Sequence, residues 1–243
     1  MKNKVAMITG ASVGIGRAVA LQMAERGAKL VLVDFNAETL NALERELKAY
    51  DCEPLCFVCD VSNEQSVNQA AKKAFERFGK IDILINNAGV WRNFESFMDV
   101  SIEKWKTFLD INVMGIVYCT RAVLPKMIKN GYGRIVNVAS VAGVYGNANM
   151  TMYSATKGAV ISMTKALAKE VAEKGVVINS VSPGMVSPSE NPDIEHTQPT
   201  EKCYAGRSGS DRENADLICF LASEKNGYVI GQNIQIDGCR KII

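Results

Sequence analysis

The sequence predicts one doubly wound α/β domain over residues 1–243: a seven-stranded parallel sheet flanked by helices. Three observations carry this: seven short apolar runs, longer amphipathic segments between them, and a glycine-rich turn from the first run into the first helix. The runs are VAMIT (5–9), KLVLVD (29–34), PLCFVCD (54–60), IDILIN (81–86), GRIVNVAS (133–140), VVINSVSP (176–183) and NIQID (233–237). They are rich in Val and Ile and apolar almost throughout, as strands covered on both faces are. Strand and helix in alternation require parallel pairing with right-handed crossovers.

The intervening segments 15–26, 38–49 and 64–78 read as helices, followed by longer ones at 103–129 and 151–173 and a shorter one at 212–222. Within SNEQ, Ser62 caps the third helix and Gln65, three residues on, completes a capping box. Ser210–Asp211 start the last helix. No linker, tandem repeat or low-complexity tract divides the chain. Residues 184–210 break the rhythm with Pro188, Pro192 and Pro199 among many polar groups. A connection of that length is expected to be a substrate lid, with simple disorder as the alternative.

Composition narrows the function classes. With 28 basic against 26 acidic residues the formal charge is +2, and no basic run is interleaved with aromatics. Nucleic acid and acidic membrane surfaces are therefore not expected partners. The first apolar run is too short for a secretory signal, and no stretch reaches the roughly 18 apolar residues of a membrane span, so a cytoplasmic protein is expected. Of seven cysteines, Cys56 and Cys59 form a C-x-x-C. Strand alternation throws positions three apart to opposite faces, whereas chelation needs convergence; small buried hydrophobes are the better reading.

The cofactor end is built first. TGASVGIG, residues 9–16, follows the first strand and opens the first helix, with Gly10, Gly14 and Gly16. Such a turn lets backbone approach a pyrophosphate, and the unpaired amides at the helix start then meet its charge. Asp34 ends the second strand 18 residues after Gly16, where a carboxylate accepts from both ribose hydroxyls of NAD and repels a 2′-phosphate. Phe35 and Asn36 follow it and Val13 occupies the loop, so no base is offered to that phosphate. NAD is the expected cofactor. Polar and small residues collect at the other strand ends, Asp60–Val61 and Asn86-Asn87-Ala88-Gly89.

The chemical end follows. Ser140 ends the fifth strand, and thirteen residues later YSATK places Tyr153 and Lys157 four apart, on one face of a helix. A ketone that accepts hydride at carbon must be protonated at oxygen, and tyrosine can donate that proton. Its reference pKa is about 10, so as a base near neutrality it needs help: a lysine ammonium held nearby, together with the positive nicotinamide of the oxidised cofactor, is expected to stabilise the phenolate. Ser140 would hydrogen-bond the substrate oxygen. No metal is expected, and His196, the single histidine, lacks companions.

TGASVGIG, NNAG, Asn112, Ser140, YSATK and Pro183–Gly184 together resemble the classical short-chain dehydrogenase/reductase family, in order and spacing, over residues 4 to 238. The resemblance implies a Rossmann fold and a tetrad of Asn112, Ser140, Tyr153 and Lys157, in which Asn112 holds a water relaying protons from Lys157. It implies that Thr9 reaches the NNAG segment. It also implies cofactor contacts from Gly10, Ser12, Val13, Gly14, Ile15, Gly16, Asp34, Phe35, Asp60, Val61, Asn86, Ala88, Gly89, Tyr153, Lys157, Pro183, Gly184 and Val186. A homotetramer through 103–129, 151–173 and the last strand is implied as well. Two residues depart from the family pattern. Pro188 stands where a threonine is common, leaving Ser187 or Ser189 as substitutes, and Cys239 replaces the second glycine of Asp-Gly-Gly.

Trp91, Phe94, Val141, Tyr145, Met150 and Val186 are expected to line an apolar cleft. The expected reaction is hydride transfer between NAD(H) and a medium-sized apolar ketone or secondary alcohol, hydroxysteroid-like or cyclic. The alternatives are a 3-oxoacyl-(acyl-carrier-protein) reductase, which resembles the same family closely, and a non-catalytic dinucleotide sensor.

Overall fold

The computed structural model describes residues 1–92, 94–186 and 193–241. Its strands are β1 (Val5–Thr9), β2 (Lys29–Asp34), β3 (Leu55–Val58), β4 (Ile83–Asn86), β5 (Gly133–Val138), β6 (Val176–Pro183) and β7 (Asn233–Ile236). They form one sheet in the order β3-β2-β1-β4-β5-β6-β7, with every neighbouring pair parallel. The winding reverses between β1 and β4, which opens a crevice at their carboxyl ends.

The helices are α1 (Gly14–Glu25), α2 (Ala37–Leu47), α3 (Glu64–Phe78), α4 (Ile102–Leu109), α5 (Gly115–Lys129), α6 (Ala142–Tyr145), α7 (Thr151–Val171) and α8 (Asp211–Leu221). Strand alternation divides the core in two. Ile8, Leu30, Leu32, Ile83 and Ile85 meet α1, α2 and α8 on one face. Met7, Val31, Val33, Leu84 and Ile178 meet α3, α5 and α7 on the other. Because both faces are covered, consecutive strand residues are mostly apolar. Each large side chain so buried contributes about 1.5–3 kcal/mol.

Local chemistry moves several boundaries. The expected cap at Ser62 is corrected: Asn63 caps α3 by accepting from Ser66 N–H at 3.0 Å. Ser62 instead donates its N–H and hydroxyl to Asp60 Oδ1, and that local bond shifts the helix start by one residue. At the last helix the expected start holds, with a full capping box between Ser210 and Glu213. The helix expected at 103–129 is interrupted by a π-helical turn, Asp110–Met114, between α4 and α5. The whole 28-residue run Ile102–Lys129 is long and apolar enough to cross a membrane, contrary to expectation, but Ile116, Cys119, Val123 and Met127 are spent on the core. Helix α6, four residues long, carries no periodic pattern and was not expected.

Residues 193–210 are held by backbone contacts. Pro199 pairs antiparallel with Arg207, Gln198 and Ser208 bond mutually, and Val186 pairs with Gly209 at the base. The described part of the expected lid is thus an ordered excursion. Ser187, Pro188, Ser189 and Pro192 lie outside the described residues. At Cys56 and Cys59, burial is the main cause that pushes the thiols up to about 12 and about 11, so both stay protonated.

Candidate active site

The cofactor end rests on Thr9. Its hydroxyl oxygen accepts from the N–H groups of Asn87 and Ala88, both at 3.1 Å, while Asn87 Nδ2 donates to the carbonyls of Thr9 and Gly10. This ties the NNAG segment to the glycine turn. A Cβ on Gly16 would lie 2.0 Å from the Gly10 carbonyl oxygen, and Gly10 and Gly14 have φ of +60° and +55°. Only glycine closes the turn this tightly. Helix α1 starts after Val13 without a side-chain cap, so its first amides remain for an anion.

Asp34 lies at the rim of this turn. Its Oδ2 accepts from Ser12 N–H at 2.9 Å and its Oδ1 from Asn36 N–H at 3.1 Å. Each carboxylate oxygen keeps a further lone pair for a ribose hydroxyl. Phe35 is exposed beside it, and Ser12 Oγ bonds Thr39 Oγ1 at 2.7 Å. The donor set therefore fits a dinucleotide: helix amides for the pyrophosphate, one fixed carboxylate for the ribose.

Two expected cofactor residues turn their side chains away. Asn86 Nδ2 donates into the core, to Asn137 Oδ1 at 2.8 Å and Thr120 Oγ1 at 3.3 Å. Val61 is buried against Gly115. Only their main chains remain for a ligand. Asp60 is exposed, Ile15 half-buried, and Ala88 and Gly89 edge the crevice.

At the chemical end, β5 delivers Ser140 and α7 delivers Tyr153 and Lys157. Ser140 Oγ accepts from Ala142 N–H at 3.1 Å, which leaves its own proton to donate elsewhere. Its hydroxyl acts on the Tyr153 phenol in the direction that favours the phenolate, and Lys157 Nζ stands 5.8 Å from the Tyr153 ring centroid. Nζ also donates to the Val138 carbonyl at 2.8 Å. Close packing sets the spacing: a Cβ on Gly143 would lie 2.5 Å from the Lys157 carbonyl carbon. Sequence reasoning missed Gly143, because nothing local shows that α6 lies backbone-to-backbone on α7.

Burial raises the Tyr153 phenol above its ordinary value, and the Ser140 side chain only partly opposes this. Burial also lowers the Lys157 ammonium to about 8. The protein alone does not acidify the phenol, because the same desolvation that encloses the pair penalises both charged forms.

Asn112 sits in the π-helical turn and is fully buried. Its Oδ1 accepts from Val90 N–H at 2.8 Å, and its Nδ2 donates to Val90 O and Thr156 Oγ1 at 2.9 and 3.1 Å. Both amide hydrogens are used, so a water could be held only through the remaining oxygen lone pair.

On the substrate side, Trp91 and Phe94 meet edge to face, with ring centroids 6.2 Å apart. Tyr145 is exposed, Met150 and Val186 half-buried. Val141 is 3% exposed and so offers little side-chain surface to the cleft. Pro183 is buried and its carbonyl accepts from Val141 N–H, while Gly184 packs on Asp237. The carboxyl-terminal tail, which sequence reasoning left outside the site, runs from there to Asn147, where Arg240 Nη2 donates to Asn147 Oδ1 at 2.8 Å.

A glycine-turn dinucleotide crevice beside a Ser–Tyr–Lys cluster defines a nicotinamide-dependent oxidoreductase. The short chain dehydrogenase family matches residues 4–199, and the chain belongs to that family. It is 36% identical over 241 residues to the 3-oxoacyl-(acyl-carrier-protein) reductase FabG of Thermotoga maritima, covering 98% of each chain. The structure is similar to levodione reductase, with TM-score 0.91 and 33% identity over 98% of this chain and 97% of that one. It is also similar to NAD+-bound xylitol dehydrogenase, with TM-score 0.90 and 33% identity over 98% of each. The chain is an NAD(H)-dependent oxidoreductase of small organic carbonyl or alcohol substrates, and the non-catalytic sensor is set aside.

Proposed function

We propose that this enzyme moves hydride between NAD(H) and a medium-sized apolar ketone or secondary alcohol, cyclic or hydroxysteroid-like, with Tyr153 as acid/base. The observation that carries the reading is the Lys157 ammonium 5.8 Å from the Tyr153 ring, with the Ser140 side chain also acting on that phenol. The bound nicotinamide supplies or takes the hydride and, when oxidised, adds positive charge beside the phenol. Tyr153 gives its proton to the substrate oxygen in reduction and takes it back in oxidation. Ser140 holds that oxygen in line. Lys157, anchored on Val138, stabilises the phenolate. Asn112 keeps the Val90 and Thr156 segments in register with the pair.

Trp91, Phe94, Tyr145, Met150 and Val186 form the apolar wall, and residues 184–210 serve as the lid over it. Exposed Ile102 and Leu109, with Phe220 and Tyr228 near the last strand, support a homotetramer, which light scattering tests. A panel of ketones and alcohols with NADH and NADPH tests the substrate class. Tyr153→Phe is expected to abolish turnover while NADH still binds; near-normal turnover removes Tyr153 from its role.

A second reading, reduction of a 3-oxoacyl thioester, is favoured by the similarity to the Thermotoga maritima enzyme. Asp34 favours NADH over NADPH and weighs against it. Comparing the two cofactors on an acetoacetyl thioester separates the readings.

A further inference from the structure

The carboxyl-terminal tail brings an unassigned cation to the substrate end. It leaves β7 behind Gly184, where a Cβ on that glycine would lie 2.8 Å from the Asp237 Cα. It turns on the bond from Cys239 N–H to Asp237 Oδ1. It is then pinned to the base of the 200–206 excursion by the Cys203–Arg240 pairing and by Lys241 N–H donating to the Lys202 carbonyl. From there Arg240 reaches the loop between α6 and α7. Its guanidinium stands 6.0 Å from the Tyr145 ring centroid and donates to Asn147 Oδ1, while Asn147 N–H donates to Ser154 Oγ, next to Tyr153.

Arg240 is half-buried, and no carboxylate pairs with it among the described residues. Its interactions are with a neutral amide and an aromatic ring, which leaves most of its five donors unused. A partly desolvated guanidinium with no counter-ion among the described residues, at the rim of an open site, matches a planar anion delivered by the ligand. One such cation suits a single negative charge.

We propose that Arg240 is a specificity-determining residue and that the substrate carries a carboxylate at the end of its apolar body remote from the reacting carbon. This rests on the reading of Tyr153 and its neighbours as the site of carbonyl–alcohol exchange. The carboxylate meets the guanidinium over Tyr145, and the apolar body lies along Trp91 and Phe94.

The test uses the full chain with NADH and two matched pairs: 4-oxocyclohexanecarboxylate and 5-oxo-5-phenylpentanoate, each against its methyl ester. The acids are expected to show kcat/KM about tenfold or more above the esters, the range of a charge-assisted hydrogen bond. Arg240→Gln removes the charge and retains a neutral amide N–H on a shorter side chain. It is expected to bring the acid-to-ester ratio to within about threefold of one, through the KM of the acid, while Arg240→Lys keeps an intermediate ratio. Equal use of acid and ester by the unaltered chain, or a ratio that Arg240→Gln leaves unchanged, overturns the proposal. Tyr153-dependent reduction of both members at equal rates overturns it while the site reading stands. Reduction of neither member, nor of any carbonyl in the wider panel, overturns both.

Discussion

Asn112 grips Val90 by both of its main-chain polar groups: Oδ1 accepts the Val90 N–H at 2.8 Å and Nδ2 donates to the Val90 carbonyl at 2.9 Å. The grip joins the segment after NNAG to the helix run carrying Asn112, and Thr156 extends it to α7. One buried amide thereby locks three segments around Lys157.

Asn112→Leu removes all three bonds and strands the Val90 peptide and Thr156. Stability is expected to fall by about 1–3 kcal/mol, the cost of buried groups left unpaired. If the residue positions the site, kcat falls more than KM rises. Denaturant unfolding with steady-state kinetics checks both, and a variant as stable and active as the parent rejects the role.

Gly143→Ala forces a methyl to within 2.6 Å of the Gly158 nitrogen and 2.5 Å of the Lys157 carbonyl carbon, so α6 must move off α7. Overpacking of this kind costs about 1–3 kcal/mol. The shift separates Ser140 from Tyr153, so kcat is expected to fall about tenfold or more, in line with the sensitivity of catalysis to small misplacement. NADH affinity, measured by fluorescence titration, should change far less.

The Lys157 ammonium is lowered from 10.5 to about 8 in the folded chain by burial. Between those values the unfolded chain binds more protons than the folded one, so stability rises with pH across this window. Below about 8 the folded chain bears the full desolvation cost. Lys157→Met is therefore expected to stabilise the cofactor-free protein at pH 7 by about 1–3 kcal/mol, with the gain shrinking toward pH 10.5. Turnover should be lost. Urea midpoints at pH 7 and pH 10 provide the check, and a gain that is equal at both contradicts the assignment.

Asp34→Ala takes away the carboxylate that would read the ribose and frees the amides of Ser12 and Asn36. The ratio of kcat/KM for NADH over NADPH is expected to fall about tenfold or more, since a 2′-phosphate no longer meets a fixed negative charge. An unchanged ratio shows that another residue sets the preference.

Which parts were legible follows from the range of the forces involved. The limits of β1, β2 and β6 agree with the reading from apolar runs, because burial on both faces extends over nearly the whole of each strand. Cap choice was harder. Ser62 and Asn63 are both good caps, and Asp60 decided between them by binding Ser62 first. Val61 and Asn86 show a further limit: a residue beside a functional segment can serve the core, and its direction depends on what packs against it.

The order of residues alone determined the sheet, the glycine turn that opens α1, the carboxylate at the end of β2 and the one-turn spacing of Tyr153 and Lys157. Periodicity, steric freedom and helix geometry act over a few residues, so a linear reading captures them. Tertiary structure alone decided that Asn112 clasps Val90, that Gly143 sets the distance to Lys157, that burial raises the phenol, and that Arg240 arrives beside Asn147. Those outcomes depend on contacts between segments far apart in the chain and on the desolvation they impose, and no local pattern encodes either.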